Sequence, residues 1–300
     1  MSKRETINRY SLIIKRVRKS PATFNDISNY LLQESELQGY NYVISKRTLK
    51  RDIEDILSLY NIEIKYDFSA KVYRIASHDE PALNNRMLEA FDIFNALNQT
   101  EDISKFIHFE KRRPMGTENF YGILYAIQNS KFIKFTYHKY WNDEVSSRLL
   151  APYGLKEFKN RWYVIGKDEK DGEIKTFGLD RISQMEITAK KFSYPIEFDL
   201  NELYANCFGI INPKELKPEN IILSFIPEQG KYIKSFPLHS SQQILKDDNN
   251  ELRISIYVLP TFDLMMEILS FGDWVKVLEP KSLGDEIKKR YVKAIESFEK

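Results

Sequence analysis

The chain has 300 residues but a single cysteine, Cys207, which excludes an intrachain disulfide framework and a multi-cysteine zinc site. Its four histidines, His78, His108, His138 and His239, never fall at metal-ligand spacing from one another. No apolar run reaches 18 residues, and the start MSKRETINRY is charged without an apolar core. Neither a membrane span nor a secretory leader is expected, so the expectation is a cytoplasmic protein without membrane partners. A phosphate loop, a nucleophile elbow and an H-E-x-x-H zinc motif are all missing. The expectation is therefore no enzyme, no catalytic residues, no metal and no cofactor.

What is present is an ordinary globular composition, 42% hydrophobic and 29% charged, long enough for two or three domains. The formal net charge of +2 is unevenly spread: residues 1–76 hold 14 Lys and Arg against 9 Asp and Glu, and the rest hold 31 against 34. A basic head on a slightly acidic body suits an anionic partner, with nucleic acid first, although a basic end is also a common solvated surface.

In the head, Ile7, Tyr10, Ile13, Ile14 and Val17 recur at helical spacing, and Ser20-Pro21 ends that helix. Thr23 is a good N-cap for a second helix, with Asp26 as an imperfect capping-box partner and Ile27, Tyr30 and Leu31 facing inward. Ser45 caps a third helix from Lys46 to about Tyr60, whose inward face is Leu49, Ile53, Ile56 and Leu57. Its first two turns carry Lys46, Arg47, Thr48, Lys50 and Arg51. Cations at a helix N-terminus oppose the macrodipole, a local violation expected where a helix start meets phosphates and base edges. The competing reading is a solvated helix face. IEIKYD and KVYRIA then flank Phe68-Ser69-Ala70 as two short strands, and three helices with such a hairpin predict a winged helix-turn-helix over 1–76. The expected DNA-binding set is Ser45, Lys46, Arg47, Thr48, Lys50, Arg51, Lys65 and Lys71.

His78 to Pro81 reads as a boundary, Leu83 to Leu97 as a connecting helix, and Glu110 to Pro114 as a solvated basic loop, giving a helical linker over 77–118. Asn119 to Ser130 is amphipathic. KFIKFTYHKY, the runs Arg148 to Leu155, Arg161 to Gly166 and Lys175 to Ile182 follow as short strands with turns at Asn142-Asp143 and Lys170-Asp171-Gly172. This spacing predicts a small bent sheet of the Sm-like or SH3-like barrel type over 119–190. The tail, 191–300, reads as strands IILSFI, LRISIYVL and Trp274 to Glu279, with helices from Thr261 and from Ser282, an α+β sandwich of ferredoxin-like type. Cys207 lies in an apolar context and reads as packing.

Ser45-Lys46-Arg47-Thr48-Leu49-Lys50-Arg51-Asp52-Ile53 resembles the recognition helix of bacterial regulators that carry a WYL domain. The segment from about Asn119 to Thr188 resembles the WYL domain itself: its name-giving run stands as Trp162-Tyr163-Val164, followed by Leu179-Asp180-Arg181-Ile182, with Phe135, Tyr137, Arg148 and Pro152 upstream. Many members carry an arginine before the leucine of the later motif, where this chain has Gly178. Residues 196–211 and the string Phe271 to Pro280 resemble the C-terminal extension called WCX. The resemblance implies a homodimeric, ligand-responsive regulator of transcription that binds double-stranded DNA.

Tyr137, Arg148, Tyr153, Trp162, Tyr163 and Arg181 mix aromatics with fixed cations on neighbouring strands, which suits stacking on bases and pairing with phosphates. The expected effector is a nucleotide or single-stranded nucleic acid. Because Trp162 and Tyr163 alternate, at least one of them points into the core, and Asp180-Arg181 can equally be a structural ion pair. Two further classes stay open: a DNA-binding accessory protein whose barrel only dimerises, and an enzyme acting on nucleic acid.

Overall fold

The computed structural model describes residues 3–76 and 116–298; the expected boundary at 78–81, the connecting helix at 83–97 and the basic loop at 110–114 lie outside them. The chain forms two compact units, residues 1–110 and 111–300, each with its own α and β elements.

In the first unit the helices are α1 (Lys3–Lys19), α2 (Phe24–Gln38) and α3 (Lys46–Tyr60), followed by the hairpin β1 (Ile64–Asp67) and β2 (Val72–Ile75). The boundaries have local causes. Thr23 Oγ1 accepts from the Asp26 amide while the Asp26 carboxylate accepts from the Thr23 amide, a complete capping box. α2 ends on Gly39 at φ 71°, a left-handed position that glycine adopts without strain. Ser45 Oγ accepts from the Thr48 amide and starts α3. The hairpin pairs Ile64 with Ile75 through Asp67 with Val72, and Asp67 Oδ1 closes its turn by accepting from the Ser69 and Ala70 amides. Ala22, between α1 and α2, exchanges both backbone hydrogen bonds with Tyr73, so the turn leaving α1 meets β2 in an isolated β-bridge.

Tyr10, Ile13, Ile14, Val17, Ile27, Leu31, Leu49 and Ile56 form the core as expected. Two expected core positions do not: Ile7 is 36% and Leu57 41% exposed. The inward line of α3 runs through Leu49, Asp52 and Ile56, which turns Leu57 out. A carboxylate can hold that central position because Arg9 of α1 meets it. Arg9 Nε donates to Asp52 Oδ2 at 2.7 Å and Nη2 to Oδ1 at 3.0 Å, with the side chains 1% and 0% exposed. Beside this pair Tyr10 donates its hydroxyl to Asp55 at 2.6 Å.

The second unit opens with α4 (Phe120–Gln128), whose Ile123 and Ala126 are buried against a five-stranded sheet. The strands are β3 (Lys131–Lys139), β4 (Glu144–Phe158), β5 (Arg161–Asp168), β6 (Ile174–Gly178) and β7 (Ile182–Lys191), ordered β6-β5-β4-β3-β7 with antiparallel neighbours. β4 bends at a register shift between Pro152 and Gly154. Gly166 stands opposite that bend, where a Cβ would come within 2.9 Å of Pro152 Cα. Among the described residues no ladder joins β6 to β7, so the expected closed barrel is, by its hydrogen bonding, an open bent sheet. The expected strand through Ile182 also breaks: Leu179–Arg181 is a 3-10 turn that carries the chain from one sheet edge to the other.

A short helix, α5 (Leu200–Leu203), precedes the tail. There Ile165, Tyr204, Cys207 and Leu259 pack together, and burial pushes the Cys207 thiol up, as expected of a packing cysteine. The tail is β8 (Glu219–Phe225), α6 (Pro227–Ser235), β9 (Gln243–Asp247), β10 (Leu252–Val258), α7 (Phe262–Ser270), β11 (Val275–Glu279) and α8 (Lys281–Phe298). The sheet order is β11-β8-β10-β9 with every neighbouring pair antiparallel, the order of a split β-α-β sandwich. Two of these elements escape periodicity. α6 carries Gly230 at its centre, where a Cβ would lie 2.7 Å from Leu252 Cβ, and every residue of edge strand β9 is exposed.

Removing one partner of a buried, hydrogen-bonded ion pair leaves the other charge stranded. Asp52→Ala should destabilise the first unit by about 3–5 kcal/mol, read as a lowered denaturation midpoint of the full chain. A change within about 0.5 kcal/mol would show that the pair does not hold α1 to α3.

Candidate nucleic-acid interface and effector site

The first two turns of α3 present cations because the apolar line and Asp52 occupy the opposite face. Lys46, Arg47, Lys50 and Arg51 are exposed and Thr48 is half-buried behind the Ser45 cap, which also bonds its hydroxyl at 3.0 Å. The first turn contains no acid to offset them. Among the described residues Arg47 and Lys50 have no ion-pair partner. Arg51 lies 3.8 Å from Asp52, whose carboxylate Arg9 already holds. Lys46 Nζ stands 5.7 Å from the Phe24 ring centroid, which brings the start of α3 beside the start of α2. On the hairpin, Lys71 is exposed at a left-handed φ of 55°, and Lys65 is exposed with Glu63 at 2.9 Å. Arg74 on β2 adds an exposed cation outside the expected set, 3.6 Å from Asp67.

The six residues expected to bind an effector separate into distinct places. Tyr137, Tyr163 and Arg181 come together with Arg161 and Asp180. Tyr137 is buried edge-on to Phe177 at 4.8 Å, and the Arg181 guanidinium sits 5.4 Å from the Tyr137 centroid and 5.7 Å from that of Tyr140. Gly178 of β6 pairs with Tyr163 in the ladder and points its amide at Tyr137 Oη, 3.4 Å away. Arg161 Nη1 donates to Asp180 Oδ2 at 2.7 Å. The other carboxylate oxygen, Oδ1, and Arg181 Nε lie 3.7 Å apart, both buried and without a hydrogen-bond partner among the described residues. The missing family arginine has a steric counterpart here. A Cβ on Gly178 would lie 2.6 Å from Asp180 Oδ1 and 2.7 Å from Arg181 Nη2, so Arg181 occupies the room a larger residue would need.

Arg148 is different. It is buried and already matched: Nη1 donates to Asp168 Oδ2 at 3.0 Å and Nε to Ser146 Oγ at 3.2 Å. Lys175 also donates to Asp168 and pairs with Asp171. Arg148, Tyr137, Lys139, Lys175 and Phe177 nonetheless line one hollow of about 400 Å³. Trp162 packs edge-on against Phe120 of α4 at 4.8 Å and belongs to the core beneath that helix. Tyr153 stacks among Phe192, Tyr194 and Phe198 in a separate aromatic cluster.

Arg161 and Tyr140 lie outside the residues expected from sequence. Strand alternation puts Arg161 on the face of Tyr163, a usable signal. Tyr140 lies in the β3–β4 turn beside fully exposed Trp141, where no periodicity points to it. Among the described residues no His, Cys, Asp and Glu cluster could hold a metal ion, and no helix is long and apolar enough to cross a membrane.

Residues 118–187 match the model of the WYL domain and residues 217–295 that of the WCX domain, so the chain carries a WYL domain followed by a WCX domain. Among solved structures it is similar to proteasome accessory factor B/C (PafBC) of Arthrobacter aurescens. The two are 19% identical, with 95% of this chain and 46% of that one covered, at a TM-score of 0.34. This chain thus spans about half the length of that relative. A CRISPR Cas-related protein is 15% identical over 98% of this chain and 85% of its own, at a TM-score of 0.42. No curated protein matches the chain.

Burial pushes the Tyr137 phenol up against the opposing pull of the Arg181 guanidinium, so the fold favours the neutral ring. A raised phenol contributes stability that is present below about pH 10, the unfolded value, and lost as pH rises through the folded one. Tyr137→Phe should therefore flatten the fall in denaturation midpoint as pH rises above about 10. An unaltered slope would remove Tyr137 from the alkaline response.

Proposed function

We propose that the protein is a ligand-responsive, DNA-binding regulator of transcription. Its first unit is a winged helix-turn-helix, with α3 entering the major groove and the β1–β2 hairpin as the wing. The observation that carries this reading is the exposed, acid-free cationic start of α3, with Arg47 and Lys50 unpaired among the described residues. Lysine and arginine contacts to phosphate supply salt-dependent affinity, and an arginine reaching a guanine edge supplies selectivity. Lys65 and Lys71 extend the same surface along the wing.

The WYL sheet is the sensor, and the protein acts in the cytoplasm as a homodimer on paired half-sites, without catalysing a reaction. Tyr137, Tyr163, Arg161 and Arg181 offer aromatic faces, guanidinium groups and an incompletely bonded Asp180, a combination that suits a nucleotide or a short single strand. Arg148 serves by holding the wall of the neighbouring hollow that it lines with Tyr137 and Lys175, and Trp162 and Tyr153 by packing. An effector shifts DNA binding only through differential affinity for two arrangements of the protein.

The direct test is retention of fragmented DNA from the protein's own promoter region at two salt concentrations, with and without short single-stranded DNA. Sequence-selective, salt-sensitive retention is expected; none at either salt would overturn the reading. Arg47→Ala should weaken selective binding by about 1–3 kcal/mol, and unchanged affinity would take Arg47 out of the interface. Arg181→Ala should abolish the effector's influence while sparing effector-free DNA binding. Loss of both activities would give Arg181 a structural role instead.

A further inference from the structure

Away from the start of α3, the first unit carries a second concentration of positive charge. The last turns of α1 and the facing side of α2 enclose a hollow of about 640 Å³ lined by Lys15, Arg16, Arg18, Lys19, Ser20 and Tyr30. The helix macrodipole favours cations in a last turn, but it does not require them to surround a concavity. Arg16 Nη1 donates to both the backbone oxygen and the hydroxyl of Ser20, each at 3.2 Å, which fixes the turn that closes the hollow. Lys15 and Lys19 are exposed and, among the described residues, have no ion-pair partner.

The acids nearest the hollow are already engaged. Asp26 caps α2 through Thr23, and Glu34 takes hydrogen bonds from Tyr30 and from Gln38 at 2.7 Å. At Lys15 and Lys19 the hollow therefore presents uncompensated positive charge.

Its position bears on which anion would suit it. Ala22, three residues beyond Lys19, is hydrogen-bonded to Tyr73 of the wing at 2.7 and 3.0 Å, and Phe24 lies under Lys46 of α3. Three residues of extended chain reach at most ~10 Å, about three phosphate steps of one DNA strand at ~3.4 Å each. Lys19 therefore lies within about three phosphate steps of the point where the chain meets the wing.

We propose that the α1 hollow is a second, sequence-independent contact to the phosphodiester backbone of duplex DNA, taken by Lys15 and Lys19 and oriented by Arg16. This rests on the reading of α3 and the wing as the DNA-binding surface. The contact lengthens the footprint beyond the bases that α3 reads and adds affinity without selectivity.

The experiment is a salt titration of the full-length protein on a labelled mixed-sequence DNA duplex, from about 50 to 200 mM salt, comparing wild type with Lys15→Ala/Lys19→Ala. Removing one lysine–phosphate pairing lowers the slope of log affinity against log salt by about 0.9. The double variant should be shallower by about 1.8 per protomer, while its preference for promoter over mixed sequence stays as in wild type. Lys15→Arg/Lys19→Arg should keep the wild-type slope. A double variant with the wild-type slope overturns the proposal while leaving the DNA-binding reading intact. Wild-type protein that binds duplex at neither salt overturns the reading beneath it. Equal thermal midpoints for the three proteins establish that a changed slope is not a folding defect; a variant whose slope changes only together with a lowered midpoint counts against the proposal.

Discussion

The buried bidentate contact between Arg9 and Asp52 organises the first unit. It ties the outer helix α1 to the inward face of α3, and it decides which way α3 is rolled. With Asp52 at the centre of the buried line, Lys46, Lys50 and Arg47 are carried to the opposite side, and Leu57 is turned toward solvent. An apolar residue at position 52 would bury as well, but it would not demand one rotation. Two charges removed from water must meet in one geometry. The cationic presentation of α3 is thus a consequence of an interaction made on its other face.

The second unit repeats the device in its sheet. Arg148 on β4 and Asp168 at the end of β5 are both buried and paired across the hydrogen-bonded ladder, where Leu150 stands opposite Asp168. The pair pins the edge of the hollow beneath Tyr137 without contributing free charge to it. The cationic, aromatic face is instead made at the 3-10 turn Leu179–Arg181. There the chain leaves β6, presents Arg181 to Tyr137 and Tyr140, and leaves Asp180 half-satisfied. Two arginines, one holding a wall and one lying against aromatic rings, look alike in a sequence and differ by their partners.

Much of this is legible from residues alone. The caps at Thr23 and Ser45, the hydrophobic lines of α1 and α3, the strands around Trp162 and the tail strands β8, β10 and β11 all carry local signals. Barrel closure does not follow, because strand count and spacing do not determine whether the first and last edges bond. β9 shows no alternation, since a strand with both faces exposed has none to show. Trp162 and Tyr153 read as ligand aromatics because aromatic character is visible in sequence, whereas the helix or ring that covers it is a tertiary fact. Asp52 is hidden for the complementary reason: its burial depends on a partner 43 positions away.

The pair of backbone hydrogen bonds between Ala22 and Tyr73 has a mechanical meaning. A hairpin attached only through its own ends could tilt freely against the helices. This one is also stitched by two backbone hydrogen bonds to the turn between α1 and α2, which opposes such tilting. On the proposed reading of this unit as a DNA binder, a hairpin held in this way cannot adjust its width to a groove; the double helix would bend or narrow instead, favouring the sequences that yield most easily even at base pairs no side chain reaches.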